Sequence, residues 1–514
     1  VATENATAPM AQDQGVDDEW FALLATGGEP VRHKIAQLPY DQWSRDPGLL
    51  LAFAASYRWE GLQGAYLALP HLDAAEHLLA AHPSPPPRYV AAAALLRGTV
   101  DRTAGRITAS LERIEEGIAV LRSPVMPILD RIDMDALAVL KRGASRVFTG
   151  DLDAARRDLQ AGLMTCGDRL PASETAEALG YLAIVDILAG SLRAADRGLR
   201  RAEALVRTAP SGLWSVPAEV ARLLLAAERG ELDDAAAAVD HLLDRSRGTE
   251  FEPLALHIYT LLSVAREEWD DAIDAIHHMR EIERDWSGAE LLRLLRISDQ
   301  ADVNLGLGDI AEVRSMLATE EDPRHIVCAN ALEARIALEI GDFSRAVDLT
   351  RSCLAMGVDH PVRSHLCAAL LDAGAHWALG DMRSADASFR LVLKHIHATR
   401  ARRMLAALPP RILQGLLVRA SDRPNLLPAE RALVSELTDA VPELADPVFD
   451  VLSPRERIIL RRISAGETPK EVALSLHVSM NTIKTQLRSI YRKLGVSSRA
   501  GAIERARVLG MLAA

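Results

Sequence analysis

One short segment carries residues that could engage a polyanion. In the run Ser479-Met480-Asn481-Thr482-Ile483-Lys484-Thr485-Gln486-Leu487-Arg488, Ile483 and Leu487 begin an apolar series that continues at Ile490 and Leu494. On a helix these four share one face, and Lys484, Thr485, Arg488 and Arg492 take the opposite one. Lys484 and Arg488 stand one turn apart, so both can reach base edges or flanking phosphates in a major groove. The backbone N–H groups that follow Ser479 suit a phosphate. The bland alternative is one more helical pair with a solvated basic face.

The surrounding punctuation favours the DNA reading. Ser453-Pro454-x-Glu456 and Thr468-Pro469-x-Glu471 are capping boxes with Pro at the first helical position. Ser479 caps the third helix, and Ser498 a fourth that runs from Arg499 to about Leu509. Gly466 and Gly495 stand where the first and third helices should end. Helix two, a tight turn and helix three have helix-turn-helix spacing, with helix three as the recognition helix.

These residues resemble the DNA-binding domain of the LuxR family. The resemblance rests on Leu452-Ser453-Pro454-Arg455-Glu456, Thr468-Pro469-Lys470-Glu471-Val472-Ala473, Val478-Ser479-Met480-Asn481-Thr482-Ile483-Lys484 and Lys493-Leu494-Gly495-Val496-Ser497-Ser498-Arg499, and extends over residues 452–505. Gln486 stands where the family usually has His. The resemblance implies base contacts by Lys484, Thr485 and Arg488. It implies phosphate contacts by Thr468, Lys470, Ser479, Asn481, Thr482, Gln486 and Arg492. It further implies a homodimer on DNA, joined through the fourth helix at Ile503 and Val508, RNA polymerase as a further partner, and activation rather than repression.

A net charge of −12 over 514 residues argues against nucleic acid until its distribution is considered. Residues 452–514 hold twelve Lys and Arg against four Glu, a net +8, which leaves −20 on the rest of the chain. A basic module on an acidic body is the asymmetry of a nucleic-acid-binding tail. The same asymmetry leads us to expect the body to dock the tail and cover its recognition helix.

The body reads as repeated helical hairpins. A turn of Gly, an acidic or polar residue and an apolar residue, with Ala close behind, recurs at Gly150, Gly190, Gly230, Glu268, Gly308, Gly341 and Gly380, at intervals of 33 to 40 residues. Gly105 and the stretch around Trp59 are candidate degenerate copies, and the repeat fades after Leu393. One hairpin cannot bury its apolar face alone, so neighbours must stack into a solenoid. The units resemble tetratricopeptide repeats. The expected fold is therefore all-α, a helical-hairpin solenoid followed by a four-helix LuxR-type domain. The expected organisation is a disordered tail over 1–16, the solenoid over 17–438, a linker over 439–451 and the DNA-binding domain over 452–514.

Other chemistry is set aside. No Gly-Lys pair occurs, hence no Walker A loop and no expected ATP binding, although large LuxR regulators that carry such repeats also carry an NTPase module. His277-His278, and His360 and His365 with Cys353 and Cys367, lack the spacing of a known zinc site, so no metal or cofactor is expected. The four Cys lie in apolar helical contexts and point to a reducing cytoplasm. No apolar run is long enough for a membrane span, and no nucleophile–base pair suggests an enzyme. Trp214, Trp269, Trp286 and Trp377 are candidate ligand-binding aromatics within the solenoid channel. The sequence thus reads as a transcription regulator whose body binds a small-molecule or protein effector. The rival reading is a peptide-binding scaffold tethered by its tail.

Overall fold

The computed structural model describes residues 28–508, apart from 59, 125–127, 207–211, 319–324, 358–359, 424–426, 441–451, 453, 477 and 495. The expected disordered tail and nearly all of the expected linker lie outside the described residues. The described elements are helices, with no strand among them and one isolated bridge between Arg106 and Ser287.

Each expected turn joins two antiparallel helices. Gly150 separates Ile128–Phe148 from Leu152–Cys166, and Gly380 separates Val362–Leu379 from Met382–Thr399. The acidic residue after the glycine is a helix cap. Asp151, Asp309, Asp342 and Asp381 each accept the N–H of the residue three positions on, at the start of the second helix. The apolar residue that follows opens that helix. The small residue behind it, Ala155, Ala195, Ala235, Ala272, Ala346 or Ala385, is buried and lets the two helices approach.

The candidate copy at Gly105 does join two full-length helices, Pro87–Thr103 and Ile107–Leu121. Two expectations need correction. The fourth turn is centred one residue earlier than the spacing suggests: Glu267, not a glycine, takes the left-handed conformation at φ 58°. The stacking also continues past Leu393. Pro409-Pro410 starts the helix Pro410–Ser421, which pairs with Pro428–Ala440 and buries Leu416, Leu417, Val434 and Leu437. Proline at a first turn costs nothing, because its missing N–H has no intrahelical partner there anyway.

The solenoid winds tightly enough for distant hairpins to touch. Ser287 exchanges backbone hydrogen bonds with Gly105 and Ile107, and Arg402 N–H donates to the Glu228 carbonyl. Gly105 and Gly190 sit at these crossings with φ of 76° and 86°. A Cβ on Gly105 would lie 2.3 Å from the Trp286 ring, and one on Gly190 would lie 2.7 Å from the Arg363 backbone N. Both positions need the left-handed conformation and the absent side chain together.

A network of buried charges links hairpins in the N-terminal half. Buried Arg102 donates to Glu250 at 3.1 Å and to Glu177 at 3.3 Å. Lys141 bridges Glu177 at 2.6 Å and Glu174 at 2.9 Å, and Arg58 reaches Glu174 at 2.7 Å. Tyr181 donates its hydroxyl to Glu250 at 3.2 Å. Burial pushes the Tyr181 phenol well above its usual range, which keeps it neutral and donating. Burial opposes the Glu174 carboxylate, yet Lys141 and Arg58 hold it below the usual range. Stability from Glu174 is therefore present above its unfolded pKa and lost as pH falls through its depressed folded value. Removing one partner leaves the others as uncompensated buried charge. Arg102→Met should cost about 3–5 kcal/mol in chemical denaturation, whereas Arg113→Ala, at an exposed pair with Glu116, should fall within about 0.5 kcal/mol of the parent.

Candidate nucleic-acid interface

The tail folds as four helices, Pro454–Ser464, Pro469–Ser475, Met480–Leu494 and Arg499–Val508. Thr468 and Glu471 form the expected capping box, with Thr468 N–H donating to Glu471 at 2.7 Å and Glu471 N–H donating to Thr468 at 3.3 Å. Those bonds from Thr468 hold the Glu471 carboxyl below its usual range. Ser479 accepts the N–H of Thr482 at 3.1 Å, and Ser498 accepts that of Gly501 at 3.1 Å, so both expected caps are made. The first capping box includes Ser453, which lies outside the described residues. Its Glu456 is buried and receives Lys493 Nζ at 2.6 Å, tying the first helix to the third. Gly466 closes the first helix at φ 101°, and Gly495 is outside the described residues.

The third helix has the two faces its sequence implies. Ile483, Leu487, Ile490 and Leu494 are buried, and Lys484, Thr485, Arg488 and Arg492 are exposed. Among the described residues neither Lys484 nor Arg488 forms an ion pair. Thr485 returns its hydroxyl to the Asn481 carbonyl at 2.9 Å, so it offers a DNA base its methyl, or its hydroxyl after rotation. Thr468, Lys470, Ser479 and Asn481 are exposed beside this face, and Thr482 and Gln486 are half-buried. The predicted DNA-contact residues thus lie together on the tail.

The bacterial luxR-family regulatory-protein model matches residues 450–506. The tail is a LuxR-family helix-turn-helix domain. The probable transcriptional regulatory protein NarL of Mycobacterium tuberculosis is 39% identical over 95 residues, which is 18% of this chain and 43% of that protein. The transcriptional regulatory protein ComA of Bacillus subtilis is 44% identical over 63 residues, 12% of this chain and 29% of ComA. The chain therefore spans less than half the length of these relatives.

Body and LuxR-type tail do dock, through the first tail helix. Arg455 reaches Asp309 at 2.8 Å, Arg461 reaches Glu267 at 2.5 Å and Arg462 reaches Asp270 at 2.5 Å. Leu452 and Ile459 share one apolar cluster with Ala272, Ile276, Val303 and Leu307 of the body. Gly308 lets Arg455 in close, since a Cβ there would lie 3.1 Å from that of Arg455. The acidic body thus meets the basic tail as the charge split implies, but it leaves the third helix open rather than covering it.

The four tryptophans are not brought together. Trp214 is buried in the body core, and Trp286 covers Gly105. Trp269 packs on Gly306 and joins the apolar cluster under the docked tail. Trp377 packs on Gly415 and faces a cleft of ≈ 760 Å³ with Met382, Asp386, Arg411 and Gln414. His360 comes together with His325 and Cys328, and Cys353 lies against Cys328. The His325-x-x-Cys328 spacing was the available signal. No described helix is long and apolar enough to cross a membrane.

The docking contact makes a prediction. Arg455 is buried at the interface while Asp309 is one-third exposed, 7% against 33% for their side chains. Asp309→Ala should speed amide exchange in Pro454–Ser464 by roughly tenfold, a loss of about 1.4 kcal/mol after discounting for solvent screening. Asp348→Ala, at an exposed pair with Arg351, should leave that helix unchanged.

Proposed function

We propose that the protein is a sequence-specific transcription regulator that reads promoter DNA with the third tail helix. The observation that carries this reading is the solvent-exposed row of Lys484, Thr485 and Arg488 on a helix-turn-helix of regulatory family. Lys484 and Arg488 hydrogen-bond base edges in the major groove, and Thr485 packs beside them. Thr468, Lys470, Ser479, Asn481, Thr482, Gln486 and Arg492 hold the flanking phosphates and set the register. Two tails bind two half-sites as a dimer through Arg499–Val508.

The body is the sensing part in this reading. A small molecule or protein effector bound to the solenoid alters how firmly the first tail helix is held at Glu267, Asp270 and Asp309. That gives effector and DNA a shared two-state element, as coupling between sites requires. The Trp377 cleft is the candidate effector pocket, and Trp269, under the docked helix, is positioned to report the change.

Genome-wide footprinting tests the proposal. The parent should protect discrete promoter sites, and the Lys484→Ala/Arg488→Ala variant should lose them, since each base contact is worth about 1–3 kcal/mol. Lys470→Ala should weaken binding similarly at every site and lower the salt-dependence slope by about one. An unchanged set of protected sites in the double variant would refute the assignment of the third helix.

A further inference from the structure

One hairpin of the C-terminal half of the body, with the segments that flank it, gathers four soft or borderline metal ligands. His325 and Cys328 lead into the helix Ala329–Ile340, Cys353 lies on Phe343–Ala355, and His360 follows that helix. One ligand atom from each of His325, Cys328 and His360 lies within 4.8 Å of the others. The Cys353 sulfur is 3.4 Å from that of Cys328. We propose that His325, Cys328, Cys353 and His360 form a tetrahedral Zn²⁺ site that fastens the segment before Ala329–Ile340 to the far end of the same hairpin.

The separations suit a metal. Ligand distances of ~2.0–2.1 Å for imidazole nitrogen and ~2.3 Å for thiolate sulfur imply tetrahedron edges of about 3.3–3.8 Å. The sulfur pair already lies at such an edge, well beyond the ~2.05 Å of a disulfide bond. The ligand atoms of His325, Cys328 and His360, which lie within 4.8 Å of one another, need to close by no more than roughly 1.5 Å, and the Cys353 side chain must swing further toward His325. Cys₂His₂ is an established donor set for zinc, and the thiolates select it over hard cations such as Mg²⁺.

The imidazole at the centre is built as a ligand. His360 is only 2% exposed, and its Nε2 is buried without a hydrogen-bond partner. A buried, unpartnered polar atom costs free energy that a bound cation would recover. Its Nδ1 faces the Pro361 carbonyl at 3.4 Å. A proton held there leaves the Nε2 lone pair free for a metal, an arrangement common for ligating histidines. His325 is held by its backbone: φ is 54°, and its carbonyl accepts the Ser364 hydroxyl at 2.7 Å. That conformation keeps its ring 4.9 Å from the His360 ring. An ion can enter from the adjoining cleft of ≈ 620 Å³, which His360 lines with His365 and His395.

Metal analysis of the full-length chain, purified without a polyhistidine tag, tests the site. The parent should carry one zinc per chain, and the apo chain should take up one equivalent from a chromophoric chelator. Cobalt in its place should give the visible bands of a tetrahedral site together with thiolate charge transfer. Cys328→Ser and His360→Gln should each abolish stoichiometric binding, while Cys367→Ser and His365→Ala should retain it. Because a ligand variant could misfold, the parent titration decides on its own. Failure of the apo parent to take up zinc, or thiol counting that finds Cys328 and Cys353 joined in a disulfide in freshly purified parent, would overturn the proposal.

Discussion

A helical hairpin has an apolar face that it cannot cover by itself, and this constraint shapes the whole chain. Each hairpin finds its cover in the next, through the buried alanines beside six of the seven expected turns. The winding that results is close enough for hairpins on successive superhelical turns to meet, and only glycine fits at Gly105 and Gly190. The N-terminal half also buries charge between its hairpins. Arg102, Lys141 and Arg58 neutralise Glu174, Glu177 and Glu250 in a network buried from water. Such a network gains little over an apolar core in stability, but it penalises any register that separates its members.

The tail joins the body by the same logic. Leu452 and Ile459 extend the apolar stack beyond Ala272, Ile276, Val303 and Leu307, and three arginines seal the edge against acids of the body. Two of those acids, Glu267 and Asp309, belong to hairpin turns, so the turn motif that builds the solenoid also supplies the docking site. The first tail helix is spent on this contact, and the third keeps its cationic face in solvent. Holding the body and, in the proposed function, reading DNA thereby fall to different helices of one small domain.

What was legible in the sequence was local. The turns at Gly150 or Gly380 announce themselves within six residues, and the caps at Thr468, Ser479 and Ser498 within four. The fate of Lys484 and Arg488 follows from helical spacing alone. Glu267 hid the centre of its turn, read one residue later at Glu268, because a non-glycine residue rarely takes the left-handed conformation. Pro409-Pro410 looked like an interruption because a proline pair reads the same whether it ends a helix or starts one. Contacts across the superhelix left no sequence signal: Arg102 and Glu250 are 148 residues apart, and a lone Arg is normally a solvated one. Cys328 and Cys353 stand at the two ends of the Gly341 hairpin, 25 residues apart, and nothing in the spacing sets His360 beside His325 rather than beside His365 and Cys367.

The central claim is that the exposed face of Met480–Leu494 reads base sequence. It is tested most directly by selecting duplexes from a randomised library with the full-length chain and repeating the selection with Arg488→Ala. The account predicts one enriched motif for the parent, bipartite if two tails bind together, and loss of preference at a defined position within each half-site for the variant. Enrichment of no motif by the parent, with binding that depends only on salt concentration, would contradict it.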